Sequence, residues 1–263
     1  MSYQKIAVET HGKVATIRLN EPAKLNAVSV QMIEEVDRAL DELVPTVRAL
    51  ILTGAGRAFC SGAALDRLAS APGSDQSKRD AGEFLETHIN PLMSKFRELP
   101  IPWITAVRGA AAGVGASLAL AGDMVIASES AYFLLAFARI GLVPDGGSTH
   151  MLVRAIGRVR AMEMALLADR LPANKALEWG LVNRVVPEAA LEEEAIKVAT
   201  SLASGPSVAL GLIRRSVWKA VDADWADALR IERESQLTAG RTQDFDEGIA
   251  AFNAKRQASF SGR

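Results

Sequence analysis

Three short, mainly apolar runs separated by stretches of helical periodicity constrain this chain more than any other feature. They are Ala49-Leu50-Ile51-Leu52-Thr53, Trp103-Ile104-Thr105-Ala106-Val107 and Met124-Val125-Ile126-Ala127. A strand that is apolar on both faces must be covered on both faces, and helical connections supply that cover. The expected class is therefore α/β, with a largely parallel sheet. Upstream, Ile6-Ala7-Val8 and Val14-Ala15-Thr16-Ile17 flank His11-Gly12 and predict a hairpin. A helix from about Ser29 aligns Met32, Ile33, Val36, Leu40 and Leu43 and ends before Pro45. A Gly/Ala-rich helix is expected from about Gly113. After Gly147 helical patterns dominate, over Thr149–Ile156, Arg158–Leu167, Ala173–Trp179, Glu188–Ser204, Ser207–Val221, Ala223–Ala239 and Asp244 to about Lys255. Leu181–Val186 is the only late strand candidate. This divides the chain into an α/β core over residues 1–200 and a C-terminal helical region over 201–263.

Composition excludes several functions. At 49% apolar and 23% charged, with a formal net charge of −1, the 263 residues can bury a core but offer no basic field for nucleic acid. Gly109–Gly122 is too short and too rich in Gly and Ala to span a membrane. The start, Met-Ser-Tyr-Gln-Lys, has no secretory pattern, and the lone Cys60 fits a reducing compartment, so a cytoplasmic location is expected. His11, His88 and His150 are scattered and neither HExxH nor paired CxxC occurs, so no metal site is expected. Neither a GxSxG elbow nor a Walker loop is present, and Gly113-Val114-Gly115 is explained better by close packing than by dinucleotide binding. No prosthetic group is implied. Ser70–Asp80 reads as a surface loop, with substrate gating as the functional alternative.

Asp145 is the only carboxylate between Glu129 and Glu163, in Leu142-Val143-Pro144-Asp145-Gly146-Gly147. An acid among apolar neighbours suits a proton carrier, while Pro-Asp-Gly equally suits a turn. Two further turns have similar build: Gly54-Ala55-Gly56-Arg57-Ala58-Phe59-Cys60-Ser61-Gly62-Ala63-Ala64-Leu65 and Val107-Arg108-Gly109-Ala110-Ala111-Ala112-Gly113-Val114-Gly115-Ala116. Both read as strand-to-helix turns with small side chains. Side by side, they could aim two N–H donors at one carbonyl oxygen; singly, each is explained by tight packing.

These two turns, with Lys24-Leu25-Asn26-Ala27 and Ala250-Ala251-Phe252-Asn253-Ala254-Lys255-Arg256, resemble the crotonase, or enoyl-CoA hydratase/isomerase, family over essentially the whole chain. The resemblance implies a spiral of ββα units with C-terminal helices that build trimers, often paired into hexamers. It implies an acyl-CoA thioester as substrate, with coenzyme A present only as part of it. By position, Ala63 and Val114 would supply the N–H donors. Lys24, Leu25 and Ala27 would flank the adenine, Arg57 the phosphates, and Ser61, Ala63, Ala64 and Leu65 the pantetheine. Phe252 and Lys255 would reach in from an adjacent subunit; the plain alternative for Phe252 is core packing.

The chain departs from the hydratases at the two positions that matter for adding water. Ser117 and Phe137 stand where those enzymes place their two glutamates, and neither residue can do acid–base work. Asp145 then remains as the proton carrier, as in several isomerases of the family, and the flanking segment is most similar to ring-1,2-epoxyphenylacetyl-CoA isomerase-like members. Ala64 stands where an aspartate is common. Other readings stay open. One is a hydratase. Another is an aroyl-CoA dehalogenase or hydrolase with Asp145 as nucleophile and His88 as helper, although Phe137 replaces the tryptophan of such enzymes. The last is a non-catalytic CoA- or RNA-binding homologue, for which Arg154, Arg158 and Arg160 form at most a small patch. Cys60 and Ser117 are expected to be packing residues, and His150 structural.

Overall fold

The computed structural model describes residues 3–64 and 80–263; Leu65 and residues 70–79 of the expected loop lie outside them. Strands β1 (Ile6–His11) and β2 (Val14–Leu19) form the expected antiparallel hairpin. Helix α1 (Val30–Leu43) starts where the Met32 N–H donates to the Ser29 hydroxyl at 3.2 Å. That cap satisfies one of the orphan donors of the first turn. The face carrying Met32, Ile33, Val36, Leu40 and Leu43 is buried, as its spacing predicts. β3 (Ala49–Gly54) follows.

Helix α2 (Asn90–Glu98) is not anticipated by the sequence reading. Asn90-Pro91 looks like a break, but Pro91 falls in the first turn, where its missing N–H costs nothing. Then come β4 (Trp103–Val107), β5 (Ala110–Ala112), α3 (Val114–Leu120), β6 (Met124–Ser128) and β7 (Tyr132–Leu134). Helix α4 (Ser148–Leu167) is broken at Gly157 (φ 75°, ψ 162°), which separates it into the two helices expected there. β8 (Leu171–Pro172), α5 (Ala173–Glu178), β9 (Arg184–Val186), α6 (Leu191–Ala203), α7 (Ser207–Ala220), α8 (Trp225–Ala239) and α9 (Gln243–Asn253) complete the chain. Two late strands are present instead of one. β8 is too short to show a period, and β9 is trimmed to the three residues that pair with Ile126–Ser128. Leu181 and Val182, expected in that strand, are buried in the core instead.

The larger sheet runs β1-β2-β3-β4-β6-β9, parallel throughout except for the first hairpin. Its two faces are both buried, as the apolar runs require. Leu50 and Leu52 of β3 point into the cluster under α1, whereas Ala49 and Ile51 meet Leu191, Ala195, Val198 and Ala199 of α6. The smaller sheet runs β5-β7-β8, and Cys60 makes a parallel bridge to Ala111 on its other side. The chain thus advances by one strand per turn in both sheets at once. β3, β4 and β6 lie side by side in the large sheet, while Cys60, β5 and β7 follow the same order in the small one. This is the ββα spiral that the resemblance implies.

Candidate active site

The two turns leave their strands differently. The second passes through β5 before α3 begins at Val114. The first leaves β3 and becomes extended. Cys60 N–H donates to the Ala110 carbonyl at 3.0 Å, and Ala112 N–H donates to the Cys60 carbonyl at 2.9 Å. Backbone pairing therefore sets the turns edge to edge. Gly62 (φ 106°) and Gly113 (φ 53°) face each other across this pairing. A Cβ on Gly62 would lie 3.1 Å from the Ala112 carbonyl oxygen, and one on Gly113 would lie 3.6 Å from Gly62 Cα. At Gly62 both the positive φ and the tight clearance call for glycine, and at Gly113 the positive φ does.

The residue after each glycine carries the expected donor. Ala63 pairs with Val28 as a parallel bridge, in which Val28 N–H donates to Gly62 O (2.7 Å) and Ala64 N–H to Val28 O (3.0 Å). In that pattern the N–H of Ala63 points away from Val28. Val114 opens α3, so its N–H has no intrahelical acceptor. Neither N–H donates to a backbone acceptor among the described residues. Phe137, buried, lies at the same place: its Cζ would be 3.9 Å from a Cβ on Gly113.

Asp145 is mounted against the first turn of α3. Its carbonyl oxygen accepts from Ser117 Oγ at 2.8 Å, Ser148 Oγ at 2.8 Å and Ser148 N–H at 3.1 Å. Gly146 follows so tightly that a Cβ there would sit 2.9 Å from Ser117 Cβ and 3.5 Å from Val114 Cγ2. The carboxyl group is treated in the opposite way. Its Oδ1 is out of solvent and has no hydrogen-bond partner among the described residues. Burial alone raises the carboxyl to about 6, which places the deprotonated base within reach of neutral pH.

The residues expected to contact CoA gather around the first turn, and the residue that gathers them is Asn26. Nothing in the sequence around Asn26 gives it a role. It is fully buried, its Nδ2 donates to the carbonyls of Ala55 (2.9 Å), Ala58 (2.8 Å) and Phe59 (3.2 Å), and its Oδ1 accepts from Glu21 N–H (2.9 Å). The available signal was residue type, since asparagine tolerates the left-handed backbone seen here (φ 55°) and both donates and accepts. Ser61 N–H donates to Leu25 O (3.0 Å) and Ser61 Oγ to Lys24 O (3.3 Å). Lys24, Leu25, Ala27, Arg57, Ser61, Ala63 and Ala64 therefore share one rim, with Lys24 and Arg57 exposed. Among the described residues no hydrogen bond or ion pair joins Phe252 or Lys255 to this rim. Phe252, at the end of α9, is 82% exposed, so core packing within the protomer is not its role.

Other candidates have different duties. His88 Nδ1 lies 2.6 Å from Thr87 Oγ1 and its ring lies tilted against Phe84, with no hydrogen bond to Asp145 among the described residues. Arg154 is held by Val221 O and Asp222, and Arg160 lies over Trp179. Burial pushes the Cys60 thiol up to about 12, which leaves it inert as a nucleophile. His150 lines a cavity of about 290 Å³ beyond Gly146 and Gly147, together with Arg97 and Trp218.

The family model of enoyl-CoA hydratase/isomerase matches residues 9–263. The chain is 43% identical over 253 residues to 1,2-epoxyphenylacetyl-CoA isomerase of Escherichia coli (strain K12), covering 95% of each. It is 40% identical over 263 residues to a protein named probable enoyl-CoA hydratase in Rhodobacter capsulatus, covering all of both. The crystal structure of enoyl-CoA hydratase from Bacillus anthracis superposes with a TM-score of 0.91 at 34% identity, over 99% of this chain and 100% of that one.

Proposed function

The chain belongs to the enoyl-CoA hydratase/isomerase family, and within it we propose an acyl-CoA isomerase that moves a proton along an unsaturated or ring-epoxidised acyl group. One observation carries the reading. The position that would hold a water-activating glutamate is Ser117, and its hydroxyl is committed to the carbonyl of Asp145. Among the described residues the site thus keeps Asp145 as its carboxyl group, with one oxygen buried and unpartnered. The 43% identity to 1,2-epoxyphenylacetyl-CoA isomerase agrees with this choice, while the similarity to proteins named hydratases supports only the family.

In the proposed reaction the thioester oxygen accepts from the N–H groups of Ala63 and Val114. These donors stabilise the negative charge that develops when a proton leaves the carbon next to the thioester. Asp145 takes that proton and returns it to another carbon of the same conjugated system, so the double bond moves and nothing is added or lost. With a ring-epoxide substrate the same groups assist opening of the strained C–O bond within one molecule, again without net addition. Phe137 keeps the neighbourhood apolar, which holds Asp145 basic and excludes water from the enolate-like intermediate. The CoA portion lies along Lys24, Leu25, Ala27, Arg57, Ser61 and Ala64. Phe252 and Lys255 complete the site from a second protomer in a trimer or dimer of trimers. The exposed Trp225, Leu237, Phe245, Ile249 and Phe252 on the C-terminal helices are consistent with such an assembly.

A panel of acyl-CoA esters tests the proposal. Double-bond migration or ring-epoxide isomerisation should exceed hydration of crotonyl-CoA by orders of magnitude. Rapid crotonyl-CoA hydration would overturn it.

A further inference from the structure

A catalytic group is placed only as well as the residues around it hold it, and here two of those residues are serines. We propose that Ser117 and Ser148 are positioning residues that hold the peptide carbonyl of Asp145 and so keep its carboxyl group out of the hydrogen bonding of its own turn. The inference rests on the reading of Asp145 as proton carrier and extends it to the groups that keep the carboxyl available.

An aspartate placed just ahead of a helix has an ordinary fate. Its carboxylate folds back onto the N–H groups one to three residues on, as a turn closure or a helix cap. Asp145 precedes α4, which begins at Ser148 with Gly147 as its cap residue and no side-chain cap. The ordinary fate is avoided because the turn is closed by the main chain instead. Ser148 N–H donates to the Asp145 carbonyl at 3.1 Å, and the Ser117 and Ser148 hydroxyls converge on the same oxygen at 2.8 Å each. Both serines are fully buried, so no solvent competes for those bonds. Ser117 also meets the place where Gly146 has no side chain, which fixes the turn sideways against α3. With the backbone held at three points the turn is set, and the Oδ1 of the carboxyl group takes none of its N–H donors among the described residues.

Among the described residues, charged neighbours do not explain the carboxyl group's state. Helix α3 carries no charged residue. On α4, His150 is influenced by Arg154, Asp222 and Arg97. Arg139, on the turn preceding Gly141, donates to Ala168 O. Burial is the one cause that raises the Asp145 carboxyl.

The test titrates the Asp145 carboxyl directly, by infrared difference spectroscopy of each protein against its Asp145→Asn counterpart. In the parent the carboxyl should titrate at about 6. In Ser117→Ala/Ser148→Ala it should move down toward the ordinary value of about 3.9 as the carboxylate gains turn donors. On any acyl-CoA that the parent turns over, kcat should fall roughly tenfold to a hundredfold at unchanged KM, as for a misplaced catalytic group. Ser148→Thr, which keeps a hydroxyl, should stay near the parent in both readouts. Single Ser117→Ala carries the test in smaller measure if the double variant does not fold. A carboxyl that titrates as in the parent in these alanine variants overturns the inference. Turnover retained by Asp145→Asn would instead overturn the proton-carrier reading, without altering the titration of the serine variants.

Discussion

Asp123 and Asp145 are both largely withdrawn from water, and the fold treats them in opposite ways. Asp123 accepts from Arg214 Nε at 2.6 Å, Trp218 Nε1 at 3.0 Å and Trp103 N–H at 3.0 Å. Burial pushes its carboxyl up, while Arg214, Trp218 and the Trp103 N–H pull it back. Arg214 is only 6% exposed and spends its other donors on the carbonyls of Phe96, Arg97 and Leu99. This ties α7 to the end of α2 and the start of β4. Asp145 has its carbonyl saturated and its Oδ1 unpartnered. The first carboxylate is placed for cohesion, and the second has been denied the partners that would make it cohesive. A buried polar atom without a partner costs stability, and such costs concentrate where chemistry is done.

The comparison can be broken most forcefully by exchanging oxygen for nitrogen at Asp145. Asp145→Asn should lower isomerase turnover by about 10²–10⁴-fold, the range for loss of a general base, while an acyl-CoA still binds. Steady-state kinetics with equilibrium binding of the same ester decides it, and substantial turnover would remove Asp145 from the mechanism.

Arg214→Leu attacks the other carboxylate. It should cost on the order of 3–5 kcal/mol of folding stability, because it strands Asp123 and three backbone carbonyls. Urea unfolding is the measurement, and a change under about 1 kcal/mol would mean that the pair contributes little.

Val114→Pro sharpens the picture of the donors that Asp145 would work beside. Val114 is the first residue of α3, where proline is tolerated, so the substitution deletes the N–H with little harm to the helix. The expected loss is about 10²–10³ in kcat. Unchanged kcat in a folded variant would show that this N–H does not hold the thioester oxygen.

The smallest expected effect is on stability against pH. The folded carboxyl of Asp145 is raised to about 6 from 3.8. The native state therefore binds the proton more tightly than the unfolded chain, and stability falls as pH rises from about 4 to about 6. Asp145→Asn should be more stable than the parent at pH 8, by about 2 kcal/mol after allowance for solvent screening, and equal to it below pH 4. Denaturant unfolding at the two pH values checks this, and a parent that is the more stable at pH 8 would contradict the burial of an unpartnered carboxylate.

Much of the fold is legible locally. The apolar runs at Ala49, Trp103 and Met124 demand two covered faces, and they receive α6 on one and the main core cluster, to which α1 and α3 both contribute, on the other. Gly157 separates two helical patterns, and the helix breaks there. The elements that escaped are those whose signal is short or misleading. β5, β7 and β8 span two or three residues each, fewer than any period can show, and Pro91 resembles a helix stop when it is a helix start. The site divides in the same way. Asp145 stands out in the chain because no other acid lies near it. Asn26 does not, because what makes it central is three carbonyls about thirty residues downstream.

By itself the sequence determined the α/β class, the glycine-flanked turns, the loss of both hydratase glutamates and the single acid left beside them. These are matters of residue type and order. Only the tertiary structure decided that Ser117 answers the missing glutamate by donating to Asp145, that Gly62 and Gly113 meet back to back, and that the Asp145 carboxyl has an oxygen with no partner. The reason is that hydrogen-bond satisfaction belongs to groups brought together from distant parts of the chain. Whether an acid is cohesive or reactive depends on which donors reach it, and residue order does not record that.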